Sequence, residues 1–161
     1  MALSKNTLVS EAWNQFYTRL NANVTTITGL SVTMPNGTNS ATIQSVTSSY
    51  SDKQINSKTN YPFIIVEPPT LSTEQRAMKT DRVDYSITIE VYANQAEVAD
   101  KFIDEVMKSI ETYRGTFSDN GIHNLNIEST DHDMAERDSL KIHVRSVTYS
   151  FYFVFSKTGA Y

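Results

Sequence analysis

Between Asp81 and Ala93 the chain alternates without a break: Val83, Tyr85, Ile87, Ile89 and Val91 share one parity, and Arg82, Asp84, Ser86, Thr88 and Glu90 the other. Side chains of an extended chain point to opposite faces in turn, so this segment is a strand with one buried and one wet face. Five large apolar side chains on one face require a covering layer. The next segment supplies it. From Asn94 to Arg114, Val98, Phe102, Val106 and Ile110 form a helical ridge that Ala99, Ile103, Met107 and Tyr113 widen. Asn94 and Glu97 are spaced as a capping box, Lys108 and Arg114 sit near the negative end of the helix dipole, and Gly115 reads as the left-handed residue that ends the helix.

The remaining periodic segments fit the same plan. Val9, Ala12, Trp13, Phe16, Tyr17 and Leu20 make a second amphipathic stripe, predicting a helix over 7–21 capped by Asn6 or Thr7. The run YPFIIVEPP at 61–69, closed on both sides by proline, reads as a short strand buried on both faces. Residues 122–129 alternate weakly and 140–155 strongly. In the latter, Leu140, Ile142 and Val144 have one parity, and Val147, Tyr149, Phe151, Phe153 and Phe155 the other. A β-bulge at Arg145-Ser146 would restore a single facing. The links at 70–80 and 130–139 lack a clear period and read as charged loops. The expected fold is α+β: a two-layer sandwich, mainly antiparallel, with both helices on one face. The length of 161 residues fits one domain spanning 1–161.

Residues 21–60 stand apart. Only Asp52, Lys53 and Lys58 are charged there, amid many Ser, Thr and Asn residues, and Pro35-Asn36-Gly37 marks a turn. Two readings fit: a hairpin with long loops, or an extended neutral arm that becomes ordered against other subunits.

Composition narrows the function. Fourteen Lys and Arg against eighteen Asp and Glu leave a net charge of −4, unsuited to gripping nucleic acid through its phosphates. With no cysteine there is no disulfide, thiolate metal site or cysteine nucleophile. The first residues read as neither a secretion signal nor a membrane anchor, which suggests a soluble product. None of the five glycines belongs to a phosphate-binding loop, and no nucleophile elbow or zinc-protease motif occurs. Among His123, His132 and His143, only the run Asp131-His132-Asp133 suggests a metal cluster. Adjacent residues of an extended chain diverge, which argues against it. His143 falls on the outward parity of its strand, as a surface residue would. No cofactor site and no catalytic constellation emerges, and a non-enzyme is expected.

The order of these elements resembles a known family. An amphipathic helix, the strand YPFIIVEPP, a charged link, the strand DYSITIEVYA, the capped helix NQAEVADKFIDEVMKSIETYRG and a closing hairpin ending in SVTYSFYFVF are similar to the tail terminator (tail-completion) proteins of long-tailed bacteriophages. The resemblance covers roughly 7–156, least closely at 21–60. It implies a virion structural protein made in the host cytoplasm. A homohexameric ring would sit on the last tail-tube ring, stop tube growth and join the head connector, while DNA passes through without specific binding. It implies axial contacts through Glu74, Arg76 and Lys79 on one link, and through Asp131, Asp133, Glu136, Arg137 and Asp138 on the other. Lateral contacts would come from Thr88, Glu90, Tyr92 and Tyr152 on the open sheet face, or from the arm. Two alternatives remain: another neck or tail-tube component, and a small cytosolic ligand-binding or enzyme domain.

Overall fold

The two strongly alternating segments pair with each other and set the centre of the molecule. The structure, a computed structural model, describes residues 7–48, 61–76, 80–137 and 140–156. In chain order these form α1 (Leu8–Asn23), β1 (Thr26–Thr28), β2 (Ser40–Thr42), β3 (Ser45–Thr47), β4 (Phe63–Val66), β5 (Thr70–Arg76), β6 (Thr80–Ala93), α2 (Ala96–Thr112), α3 (Arg114–Asp119), β7 (His123–Arg137) and β8 (Leu140–Ser156). The main sheet runs β3-β4-β6-β8-β7, with β5 also paired to β6. Among the described strands of this sheet only the β3–β4 pair is parallel. A separate two-stranded sheet joins β1 to β2. The fold is the expected α+β sandwich.

Odd-numbered residues of β6 from Val83 to Ala93 are buried under the helices, together with Val147, Tyr149, Phe151 and Phe153 of β8. From α2, Val98, Ala99, Phe102, Ile103, Val106 and Ile110 complete this core. The stripe of α1 is rotated by one residue from expectation. Leu8, Ala12, Phe16 and Leu20 are buried, whereas Val9 is exposed and Trp13 and Tyr17 stack on each other at the shoulder, 4.8 Å apart. The Trp13 indole N–H donates to the Val66 carbonyl at 2.7 Å, which ties α1 to β4.

Caps and stops differ from the sequence reading. Thr7 is the N-cap of α1 but its side chain makes no capping bond to the helix, and Asn6 lies outside the described residues. Gln95, also without a side-chain bond, is the N-cap of α2. The Glu97 carboxylate instead accepts the Ser31 backbone N–H at 2.8 Å, because the loop after β1 lies against this helix end. Lys108 pairs with Glu105, and Arg114 with Glu111. Gly115 sits inside α3; the left-handed residue is Gly121, φ +91°, where the chain turns into β7.

The β8 bulge does not form. β6 and β8 pair without a break from Thr80↔Ser156 to Ala93↔His143. The parity change is therefore real, and Ile142 lies on the face away from the helices. There it joins Tyr61, Phe63 and Ile65 in a second buried cluster, flanked by Tyr92, Leu140 and Val144. The register shifts fall in β7 instead, between His123 and Asn126 and between Ile127 and Ser129. All four residues of β4 are buried, as the proline-bounded run predicts: Ile64 and Val66 face the helices, Phe63 and Ile65 the other side.

Residues 24–48 fold back on their own domain, which favours the hairpin over the free arm for this stretch. β1 pairs with β2, and Val24, Ile27, Leu30, Ala41 and Val46 are buried in the main core. The turn at Pro35-Asn36-Gly37 is closed by Asn36 Oδ1, which accepts the Thr38 N–H at 3.1 Å, with Gly37 at φ +78°. The rest of the expected arm, 49–60, lies outside the described residues.

Candidate functional site

Both links expected as loops are strands, and they extend the sheet at opposite ends. β5 pairs with the start of β6, with Arg76 opposite Asp81. β7 continues along β8 until Arg137 meets Leu140, beyond the end of β6. A regular antiparallel partner replaces the missing apolar period as the source of order, since backbone bonds need no particular side chain. Fifteen residue steps along β8 separate the two tips, Phe155 at the level of Arg76 and Leu140 at that of Arg137, which is about 50 Å of strand.

The candidate axial residues divide between these ribbons. Every residue of β5 is exposed. The Arg76 guanidinium meets the Glu74 carboxylate at 3.3 Å, which raises the arginine further above its ordinary value. Beside them Arg82 bonds Asp84 at 2.5 Å, and Thr73 donates to the same carboxylate at 3.0 Å. The arginine bond above all holds Asp84 below the usual aspartate range. Lys79 and Asp138 lie outside the described residues. On the other ribbon Asp131, Asp133 and Glu136 are exposed, and the Met134 N–H donates to Asp133 Oδ1 at 2.7 Å. Arg137 closes the β7–β8 register.

The candidate lateral residues share the face away from the helices, half-buried, and are already engaged within the chain. Thr88 and Thr148 hydroxyls meet at 2.9 Å across β6 and β8. The Tyr92 hydroxyl donates to Glu90 at 2.8 Å, and its ring lies flat on Phe63, 4.9 Å away. Arg82 sits 4.1 Å over the Tyr152 ring. Glu67 is raised above the usual glutamate range, first by partial burial and then by the charge of Glu90.

Among the described residues no three His, Cys, Asp or Glu side chains are grouped to hold a metal ion. His132 and His143 stack 6.0 Å apart, 9° from parallel. His143 pairs with Ala93, so it belongs to the helix-face parity rather than the outward one; the unbroken register makes that correction. Arg145, on the same parity, reaches Asp100 of α2.

Sequence reasoning missed an open groove of about 530 Å³ on one side of the second cluster. Met34, Pro35, Tyr61, Pro62 and Leu140 line it together with Asn94, whose Oδ1 is buried without a hydrogen-bond partner among the described residues. Its walls come from segments distant in the chain, so no local motif announces it. A smaller hollow of about 380 Å³ lies beside Trp13, Pro68 and Tyr85.

No described helix is long and apolar enough to cross a membrane. No protein-family model matches this chain, and no curated protein matches it.

Proposed function

We propose that this chain is a virion structural protein of a long-tailed bacteriophage, forming a ring, a homohexamer, at the head-proximal end of the tail tube. There it stops tube growth and provides the joint to the head connector. The observation that carries this reading is a pair of exposed, charged segments at opposite ends of one sheet: the edge strand β5 beside the start of β6, and the β7–β8 ribbon that runs on past the end of β6. A subunit stacked between two unlike neighbours needs a separate contact surface at each end, and the two must differ so that another tube ring does not add. The first holds its charges in local pairs, Glu74 with Arg76 and Arg82 with Asp84. The other exposes Asp131 and Asp133 on one face and Glu136 on the opposite one. The ring needs no cofactor and no membrane, and DNA crosses it without being gripped, in keeping with a net charge of −4.

Particles assembled without the protein are expected to show tails of uncontrolled length or heads lacking tails by electron microscopy. Normal tails in its absence would overturn the reading. A neck or tube component elsewhere in the particle is the nearest alternative, and copy number per virion separates it, since a tube protein occurs in many stacked rings. The groove beside Asn94 favours a third reading, a ligand-binding domain. A large, specific rise in melting temperature in a metabolite screen would support that one instead.

A further inference from the structure

The outer edge of β7 is uncovered where the β7–β8 ribbon reaches and passes the end of β6. Among the described residues no strand lies beyond it. Asp131, His132, Asp133, Met134, Ala135 and Glu136 are all exposed, and Met134, at 54%, is the most exposed large apolar side chain among the described residues. From Ser129 to Arg137 the pairing with β8 is unbroken, and both register shifts of β7 fall before it. A regular, uncovered edge of this length is a template for another strand.

Cross-strand partners share a face. His132, Met134 and Glu136 therefore lie on the helix-side face with Arg145, His143 and Lys141, and Asp131, Asp133 and Ala135 lie on the other with Ser146, Val144 and Ile142. This order makes the edge complementary to itself. Consider a second copy turned about a twofold axis that passes through Met134, perpendicular to the sheet. Met134 then meets Met134, Asp133 meets Ala135, His132 meets Glu136, and Asp131 meets the arginine position, 137. Every opposed residue keeps its own face, because the steps on either side of the axis are equal.

The chemistry of these pairs favours this register over its neighbours. The His132 ring N–H can donate to the Glu136 carboxylate, which then lies between that ring and Lys141 of its own chain. Asp133, whose Oδ1 already accepts the Met134 N–H at 2.7 Å, meets a methyl group and no charge. Each Met134 covers the apolar surface of the other. An axis at His132 would instead set Asp131 against Asp133, and one at Asp133 would set that carboxylate against itself; like charges directly opposite are destabilising. The axis at Met134 also lies close to the ribbon tip at Arg137. The earlier part of each β7, which carries the helix layer, thus runs past the tip of the other ribbon, and the two bodies lie at opposite ends of the joined ribbons.

We propose that a second copy of this chain adds to the β7 edge, antiparallel and in register at Met134, so that two chains form an isologous dimer. The contact does not rest on the ring reading. A ring repeats a head-to-tail contact by rotation, whereas this contact is closed by two copies. It uses the ribbon that the ring reading gives to an axial neighbour, so on one subunit the two contacts are alternatives.

The chain has no cysteine, so disulfide trapping has a clean background. Residues directly opposite in an antiparallel pair have Cα atoms about 4.5–5.5 Å apart, within disulfide range. Full-length Met134→Cys under mild oxidation is expected to yield a covalent dimer on a non-reducing gel. His132→Cys and Glu136→Cys are each expected to stay uncross-linked alone, since each lies about 13 Å along the strands from its own mate, but to yield dimer when mixed. In the unmodified chain, sedimentation equilibrium is expected to show the mass doubling as concentration rises. Glu136→Lys sets a lysine against His132 and should weaken that association several-fold without altering the circular dichroism spectrum. Adding His132→Glu to it restores an opposite pair and should restore the association.

Dimers from His132→Cys alone as abundant as those from the mixture would overturn the register. A yield at Met134→Cys that Glu136→Lys leaves unmoved would mean chance collision of exposed thiols and overturn the contact. A mass that never doubles, with no cross-link at 134, overturns it as well. Rings seen by negative stain without that cross-link would do the same and leave the ring reading standing.

Discussion

The two faces of the sheet use the same kinds of residue to different depths. The helix face is covered by a whole layer: Phe16 meets Phe117 at 4.7 Å and Phe151 at 5.8 Å, and Phe102, Val106 and Ile110 close over β6 and β8. The other face buries only a corner, where Tyr61, Phe63, Ile65 and Ile142 gather at the end near the β7–β8 ribbon. The remainder of that face carries paired threonines and a tyrosine under an arginine. The lesson is that a strand longer than the layer above it can change its buried face along its length. β8 has 17 residues, about 56 Å, and α2 has 17 at a shorter rise, about 26 Å. The helix cannot shade the whole strand, so the apolar residues at the uncovered end turn to the opposite side.

That contrast is broken most severely from the helix face. Phe102→Ala removes a fully buried ring where the helix and both central strands meet, and is expected to cost about 3–5 kcal/mol, read from the urea midpoint. Ile142→Ala, at the smaller cluster, is expected to cost about 2 kcal/mol, because fewer neighbours are lost and the corner relaxes more easily. Equal losses at the two sites would show that both faces belong to one equally packed core. If the Ile142 variant instead loses hydrogen-exchange protection mainly in 130–144, the corner serves to hold the projecting ribbon, which a two-stranded hairpin cannot do alone.

The same contrast explains what the sequence disclosed. The alternation of 81–93 and the ridge of α2 were legible because a single face is buried along their whole length, so local periodicity and tertiary burial agree. β8 carried both of its faces openly, as Leu140, Ile142 and Val144 against Val147 to Phe155. Assuming one buried side forced a bulge that the pairing with β6 does not contain. β5 and the outer part of β7 left no apolar period because all their described side chains from Thr70 to Arg76 and from Asn126 to Glu136 are exposed. Their order comes from backbone pairing, which composition does not record. The charged candidates Glu74, Arg76, Asp131, Asp133 and Glu136 were found because charge is visible in any conformation. The groove beside Asn94 was not, since its walls are assembled from four separate segments.

Titration separates the covered face from the open one with smaller effects. The Tyr149 hydroxyl lies in the covered layer, and burial pushes it up to about 12 from 10.0, with Glu111 adding to the rise. The folded chain therefore favours the neutral phenol. Its contribution is complete below pH 10, and is lost as pH rises from there towards 12, where the unfolded chain gains by ionising. Tyr149→Phe is expected to flatten the alkaline fall in stability between these limits while leaving the neutral range nearly unchanged. An unaltered alkaline limb would mean that the hydroxyl reaches water in the folded state.

The smallest expected effect lies at the outer rim of the helix layer, where the β1–β2 hairpin meets α2. Glu97 is held below the usual glutamate range, first by the Ser31 backbone N–H and then, in the opposite balance to desolvation, by Lys101. A lowered carboxyl stabilises the folded chain above its ordinary range, and that contribution disappears as pH falls through it. Glu97→Gln keeps an acceptor for Ser31 but no charge for Lys101. It is expected to blunt the acid limb of the stability profile by lowering the pH 7 plateau slightly, towards the value the parent keeps in acid. A matched comparison with Glu97→Ala isolates the hydrogen bond, because alanine also leaves the Ser31 N–H to water. If glutamine and alanine behave alike at pH 7, the hairpin is held by Ile27, Leu30 and Ala41 in the core, and the carboxylate only adjusts its acid sensitivity.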